Sequence, residues 1–283
     1  MTTYLITGGA GSLGKEIVRE IDARVGKIRE AGDTDLPKRW TQDAVRVIDI
    51  NEADLAMLKF PTRRIYGDIC DLDRIDFAMR GVDVCIHAAA LKNLEIAEYN
   101  IDALLRTNIQ GTLAVARAAM KRRVKHAILV SSDKAVLPTT AYGASKAMGE
   151  KIWLWANRIQ RYTTFIILRS GNFYESRGNV LEIWKKQAEK GEPLTITSPE
   201  MKRYFIRTDK VARIILDLPG NVSGGEIVIP WMEEHNIELL ARYLYPNAKT
   251  TRIPIRPGEK MVEEIVNPHE RVVRTTDNYT VVE

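Results

Sequence analysis

The sequence contains only two cysteines, Cys70 and Cys85, among 283 residues. They lie in or beside apolar, strand-like stretches and lack metal-ligand spacing, so a disulfide framework and a metal site are both set aside. Each reads as a small reduced core residue. A chain of this length buries a sizeable core without such staples. No apolar run approaches the roughly 20 residues that a membrane helix requires. The opening segment, Met1-Thr2-Thr3-Tyr4-Leu5-Ile6, has no basic leader and no long apolar one. A cytoplasmic protein without a membrane segment is therefore expected. Internal repeats and low-complexity tracts are absent as well.

The net charge is +5. A basic excess suits nucleic acid, and it suits a diphosphate-bearing substrate equally well. The densest basic run, Lys121-Arg122-Arg123-Val124-Lys125, falls where a helix is expected to end, and the helix dipole favours cations there. No nucleic-acid partner is expected.

Short apolar runs alternate with helical patterns through the first 170 residues. Strands are expected at Thr3–Thr7, Val45–Ile48, Arg63–Tyr66, Val82–His87, His126–Val130 and Thr164–Leu168. Several carry few polar residues, as strands buried on both faces of a parallel sheet do. Between them, Asp71 caps a helix over Leu72–Met79 and Gly81 stops it. Longer helical patterns cover Asp102–Lys121 and Ala141–Gln160, and Ala31–Asp43 reads as a polar surface insertion. The alternation predicts an α/β fold, a Rossmann-type doubly wound parallel sheet with right-handed crossovers. After about residue 171 the elements shorten and the loops become rich in glycine, proline and charge. A dinucleotide-binding domain over 1–171 is thus expected, followed by a smaller substrate-binding lobe over 172–283, partly interleaved with the end of the sheet.

Thr7-Gly8-Gly9-Ala10-Gly11-Ser12-Leu13-Gly14 follows the first strand and opens a helix. Gly8, Gly11 and Gly14 permit a tight turn and close backbone approach to a pyrophosphate, while the helix N-terminus around Ser12 and Leu13 offers unpaired N–H groups. Asp49, at the end of the second strand, is placed to accept hydrogen bonds from both hydroxyls of an adenosine ribose. It would repel a 2′-phosphate, so NAD is expected in preference to NADP. Asp68 and Ile69 after the third strand are candidates to meet the adenine. Ala88, Ala89 and Ala90 after the fourth are small where a cofactor needs close approach.

Ser131-Ser132-Asp133-Lys134 precedes Tyr142-Gly143-Ala144-Ser145-Lys146. Tyr142 and Lys146 are four residues apart, on one helix face. An ammonium held near a phenol stabilises the phenolate and makes it a usable base. Ser132, ending a strand, can bind the same substrate oxygen. With the glycine loop, this set is the catalytic signature of short-chain dehydrogenases.

The resemblance becomes specific at Ser132-Asp133-Lys134-Ala135. Together with His87-Ala88-Ala89-Ala90-Leu91-Lys92, Gly171-Asn172, Ser176-Arg177-Gly178 and Arg256-Pro257-Gly258-Glu259-Lys260, it resembles the UDP-N-acetylglucosamine 4,6-dehydratases, in their short inverting branch, over nearly the whole chain. The resemblance implies that Tyr142 takes the 4-hydroxyl proton, Lys134 removes the C5 proton, and a protonated Asp133 donates to the departing 6-hydroxyl. It further implies tightly retained NAD and a UDP-sugar bound by Lys92, Asn172, Arg177, Arg203, Arg256 and Glu259. Pairing of copies through the two long helices is implied too, so a homo-oligomer is expected. Asn93 and Glu175 depart from the pattern, and both are expected to line the sugar pocket. A nucleotide-sugar 4-epimerase would use the same Tyr142, Lys146 and NAD, but it needs no acid or base at C5 and C6. An idle NAD-binding protein would need no Ser-Tyr-Lys set.

Overall fold

The computed structural model describes residues 2–30, 44–60 and 62–283, and for 26–30 the backbone only. The insertion expected at Ala31–Asp43 lies outside the described residues. The chain opens with β1 (Tyr4–Thr7), α1 (Ser12–Glu30), β2 (Val45–Asp49), α2 (Glu52–Ala56), β3 (Arg63–Tyr66), α3 (Leu72–Ala78) and β4 (Val84–His87). Next come α4 (Leu94–Tyr99), α5 (Ile101–Leu104), a π-helical segment (Leu105–Gly111) and α6 (Thr112–Arg122). They lead to β5 (His126–Ser132), a 3-10 turn (Asp133–Ala135), α7 (Ala141–Ile159) and β6 (Thr164–Ser170). The remainder comprises β7 (Asn172–Phe173), α8 (Val180–Glu189), β8 (Leu194–Ile196), β9 (Lys202–Ile206), α9 (Thr208–Asp217), β10 (Ile227–Pro230), β11 (Glu233–Asn236), α10 (Ile237–Leu244), β12 (Thr250–Arg252), β13 (Val272–Thr275) and β14 (Tyr279–Val282).

The main sheet runs β3-β2-β1-β4-β5-β6-β10-β14-β13. Its first six strands keep the Rossmann order, and β10 extends it in parallel before β14 pairs antiparallel with β10 and β13 antiparallel with β14. Successive side chains along a strand face opposite ways. Leu5, Cys85, Ala127 and Phe165 therefore enter one core with α3, α6 and α7, and Ile6, Ile86, Ile128 and Ile166 enter the other with α1 and α9. Every residue of β4 is buried, which fits a central strand covered on both faces. Burial pushes the Cys85 thiol up to about 12, so it sits there as an apolar filler. A third core, around Trp184, Phe205 and Leu240, joins α8 and α10 to the small sheet β11-β9-β7.

Side-chain caps set most helix starts. Asp71 accepts from the Arg74 N–H, Thr140 from that of Gly143 and Asn179 from that of Glu182. The basic run after α6 is neutralised locally: Lys121 and Arg122 pair with Asp76, Lys125 pairs with Asp83, and Arg123 lies 4.5 Å from the centre of the Tyr162 ring.

The uniform helix expected over Asp102–Lys121 is corrected to α5, the π segment and α6. Buried Asn108 lies in the π segment, and its carboxamide bonds both the N–H and the carbonyl of Leu91 and the Ser145 hydroxyl. A π turn lets the helix widen around such a buried polar anchor. The strand expected from Val82 starts at Val84, because the Val82 N–H turns back to Met79.

Candidate active site

Strands β1, β2, β4, β5 and β6 end around one cleft of about 810 Å³. Open α/β sheets bind their ligands beyond the carboxyl ends of their strands. Gly8, Gly11, Ser12, Leu13, Gly14, Asp49, Asp68, Ile69, Ala88, Ala89 and Ala90 line one part of it. Ser132, Lys134, Tyr142, Lys146, Lys92, Asn172, Arg177, Arg203, Arg256 and Glu259 line the rest. Asp133 is the one expected catalytic residue that is not on the wall: it lies behind it with 0% exposure.

The glycine loop has no space for side chains. Gly8 sits at φ 66, and a Cβ there would stand 2.7 Å from the Ala89 Cα. A Cβ on Gly14 would stand 2.4 Å from the Gly9 Cα. The backbone thus closes tightly and delivers the start of α1, whose first turn holds no acidic residue, to the cleft. Free N–H groups and the helix dipole there favour an anion. Asp49 is steered beside this loop, accepting from the Ala10 and Asn51 N–H groups at 3.1 and 3.0 Å. A dinucleotide fits this donor set: a phosphate on the helix start, and a carboxylate beside it for hydroxyls. His87, below the loop, is buried between the Thr7 and Thr112 hydroxyls and stacks on Trp153. Burial, aided by Lys146, lowers its pKa to about 3, which keeps the ring neutral.

At the other end, β5 delivers Ser132, Asp133 and Lys134 to a 3-10 turn facing the first turn of α7. Asp133 Oδ1 accepts from the Ser132 hydroxyl, the Lys134 N–H and Lys134 Nζ at 2.8, 2.9 and 3.1 Å. Lys134 Nζ also lies 3.3 Å from Glu263 Oε1. Burial opposes the Lys134 charge, but the two carboxylates outweigh it and raise its pKa. Burial pushes Tyr142 up to about 12, against the pull of Lys134 and the Ser132 hydroxyl. Lys146 is buried and donates to the Val130 carbonyl at 2.6 Å. Burial lowers it to about 8, and Glu150 resists the shift. The Lys134 charge thus acts on the Tyr142 phenol, and Lys146, expected from the i, i+4 spacing, lines the same cleft.

The remaining expected residues are held by the protein itself. Arg203 reaches the Lys202 and Met261 carbonyls and Glu259. Asn172 donates to the Tyr204 carbonyl. Lys92 donates to the Ser176 hydroxyl and the Arg177 carbonyl, while the Arg177 guanidinium pairs with Asp54 and its N–H with Ser12. Segment 174–179 therefore crosses from β4 to the start of α1, which places Arg177 beside the glycine loop.

A family model described as polysaccharide biosynthesis protein matches residues 4–283. The chain belongs to this family. An uncharacterized membrane protein of Methanocaldococcus jannaschii is 35% identical, over 95% of this chain and 81% of its own. The inverting UDP-N-acetylglucosamine 4,6-dehydratase of Campylobacter jejuni (serotype O:2) is 34% identical over 99% and 79%. A UDP-glucose 4-epimerase of Rickettsia akari is 33% identical over 95% and 78%. Among solved structures, Pen from Bacillus thuringiensis superposes with a TM-score of 0.85 at 27% identity, covering 99% of this chain and 88% of that one. A dTDP-glucose 4,6-dehydratase of Streptomyces venezuelae with NAD bound shares the fold, with a TM-score of 0.79 at 23% identity over 94% and 88%. This member of the polysaccharide biosynthesis family accordingly stands in the dehydratase and epimerase class of short-chain dehydrogenases. Among its described residues no helix is long and apolar enough to cross a membrane.

One expectation for this family member is corrected. Glu175 does not line the cleft: its carboxylate accepts from the N–H and hydroxyl of Thr208 and caps α9. Unpaired N–H groups at a helix start attract a carboxylate. Asn93 does line the cleft, with its side chain capping α4. Two features escaped the sequence reading. Gly9 packs against Val47, where a Cβ would stand 2.6 Å from Cγ1. Glu263 is buried on the cleft wall beside Lys134, and nothing local separates it from half-exposed Glu264.

Proposed function

We propose that this protein is an NAD-dependent nucleotide-sugar 4,6-dehydratase acting on UDP-N-acetylglucosamine, giving a 4-keto-6-deoxy sugar with inversion at C5. The observation that carries the reading is Lys134, whose ammonium stands on the cleft wall with Tyr142, 3.1 Å from Asp133 Oδ1 and 3.3 Å from Glu263 Oε1. Epimerisation at C4 requires one acid–base group; elimination of water across C5 and C6 requires a second beside it.

When bound, NAD would accept the C4 hydride, whose loss leaves a ketone that acidifies C5, and would later return it. Gly8, Gly11, Ser12, Leu13 and Gly14 would hold its pyrophosphate and Asp49 its adenosine ribose. Asp68, Ile69 and Ala88–Ala90 would border its adenine and nicotinamide ends. Tyr142 takes the proton of the sugar 4-hydroxyl, with Ser132 bonded to the same oxygen. Lys134 exchanges the C5 proton. Asp133 is assigned to the departing 6-hydroxyl; as a resting carboxylate it first takes up a proton from solvent, which then leaves with the water that departs. Arg203, Arg256 and Glu259 are assigned to the diphosphate and uridine, and Lys92, Asn172 and Arg177 to the mouth of the cleft.

The test is mass spectrometry of UDP-N-acetylglucosamine turned over in deuterated water. Loss of one water with a deuterium gained supports the dehydratase. An isomer of unchanged composition would instead support a 4-epimerase, the reading favoured by the Rickettsia relative. Lys134→Ala is expected to stop water loss while the dinucleotide still binds, and normal turnover by that variant would remove Lys134 from the chemistry.

Asp49 carries the proposed choice of NAD over NADP. Asp49→Ala is expected to weaken NAD by roughly 10–100-fold, the worth of hydrogen bonds to a charged group, and to leave NADP nearly unchanged. Fluorescence titration with both dinucleotides checks this, and equal losses would undo the ribose assignment.

A further inference from the structure

Resting on the dehydratase reading, we propose that Glu263 is the proton partner of Lys134: it holds the lysine at the cleft wall and takes its proton so that the amine can act at C5.

Lys134 Nζ sits between two carboxylates, 3.1 Å from Asp133 Oδ1 and 3.3 Å from Glu263 Oε1. An amine so placed rests as an ammonium, and an ammonium cannot remove a carbon-bound proton. Each turnover therefore needs a nearby group to accept a proton from it. The charged groups around Lys134 are few. Asp133 comes from its own turn, Tyr142 from α7 and Arg203 from β9. Glu263 comes from the segment after Glu259, with Lys260 Nζ 3.9 Å from its second oxygen.

The two carboxylates are not equivalent acceptors. Asp133 Oδ1 already receives three hydrogen bonds, and its side chain is removed from the cleft. Glu263 lines the cleft with its side chain 4% exposed, and among the described residues its Oε2, like Asp133 Oδ2, is buried with no hydrogen-bond partner, so the two differ in the bonds on the other oxygen and in access to the cleft. A buried, unpartnered carboxylate oxygen is costly, and taking a proton removes the charge from that oxygen. Glu263 has fewer bonds to lose on protonation than Asp133.

The cycle balances. A Lys134 N–H bond breaks and a Glu263 O–H bond forms, leaving a neutral amine and a neutral acid. The amine then takes the C5 proton, and the resulting ammonium later returns a proton to C5. The Glu263 proton goes back to Lys134, and the pair ends as it began. Glu263 touches Lys134 rather than the sugar, so it is a positioning residue.

The test compares wild type, Glu263→Gln and Glu263→Asp across about pH 6.5 to 9, with UDP-N-acetylglucosamine as substrate. Water loss, deuterium entry at C5, bound dinucleotide and melting temperature are read together. At neutral pH, Glu263→Gln is expected to lower kcat by about 10²-fold, the usual worth of a positioned proton-transfer group, with KM and bound dinucleotide near wild type. Its Lys134 must deprotonate to solvent instead, so the deficit relative to wild type shrinks as the pH rises. Glu263→Asp is expected to recover part of the rate, with the wild-type pH profile. A Gln variant within about threefold of wild type, or a deficit constant across pH, would overturn the assignment. So would activity falling only in step with melting temperature and dinucleotide content in both variants. A wild-type protein that removes no water overturns the dehydratase reading and this inference together, whereas an active wild type with an indifferent Gln variant overturns the inference alone.

Discussion

Replacing Tyr142 by phenylalanine is expected to cut turnover by about 10²–10⁴-fold, with the fold and dinucleotide binding retained. The substitution deletes one hydroxyl and keeps the ring that fills the first turn of α7. That hydroxyl is where burial and the Lys134 charge act against each other. Without it, on the proposed mechanism, the 4-hydroxyl of a bound sugar would lack an aligned acceptor for its proton, and oxidation at C4 would slow accordingly. Single-turnover absorbance of reduced nicotinamide provides the check. Substrate-dependent reduction at the wild-type rate would contradict the role given to Tyr142. The Lys134→Ala variant should differ from it. Oxidation at C4 is expected to remain open there, and the block is expected at C5.

The second large effect concerns stability. Arg169 on β6 is 2% exposed and binds Glu150 on α7 through Nε and Nη2, and Glu270 through Nη1 and Nη2. It also donates to the Ile265 carbonyl. Burial opposes the guanidinium charge, yet Glu270 and Glu150 raise its pKa further. Arg169→Ala leaves two carboxylates without their counter-charge, one of them buried, and should cost about 3–5 kcal/mol. Arg169→Lys should recover only part of that, because one ammonium cannot serve two carboxylates in the same forked geometry. Urea unfolding of both variants measures the difference, and a loss below about 1 kcal/mol for the alanine variant would mean that the triad is not a structural tie. Glu150 also accepts from Ser131 and acts on Lys146, so dinucleotide binding is expected to suffer alongside stability.

Much of this architecture was legible because its signals are local. Apolar runs such as Val82–His87 and Thr164–Leu168 announce strands buried on both faces. Asp71, Gly8 and Gly14 announce caps and turns through chemistry confined to a few residues. The cleft residues were legible for the same reason, since the glycine loop and the Ser132–Lys146 stretch are continuous in sequence. What escaped depends on partners far along the chain. The π segment exists around Asn108, whose bonds reach Leu91 and Ser145. Glu175 is expected at the sugar pocket because it departs from the family pattern, whereas its bonds go to Thr208. Glu263 differs from Glu264 only in what lies beneath it, the turn carrying Lys134. Lys146 shares a helix face with Tyr142 and lines the cleft, while its bond to the Val130 carbonyl is a contact that spacing does not announce.

The return of β14 and β13 to the main sheet, after the small sheet has been built, bears on how the chain is made. On a ribosome, β1 to β6 emerge first and can pair with one another. The outer flank of β6 has to await β10, and β10 in turn awaits residues 279–282. Arg169 waits as well, because the Glu270 carboxylate that completes its shell lies 101 residues downstream. A nascent chain stalled before residue 270 would therefore hold a nearly finished nucleotide-binding half with an open edge and an incompletely neutralised buried cation. Such an edge invites pairing with another strand, so the interval between the synthesis of β6 and that of β14 is when this protein most needs a chaperone.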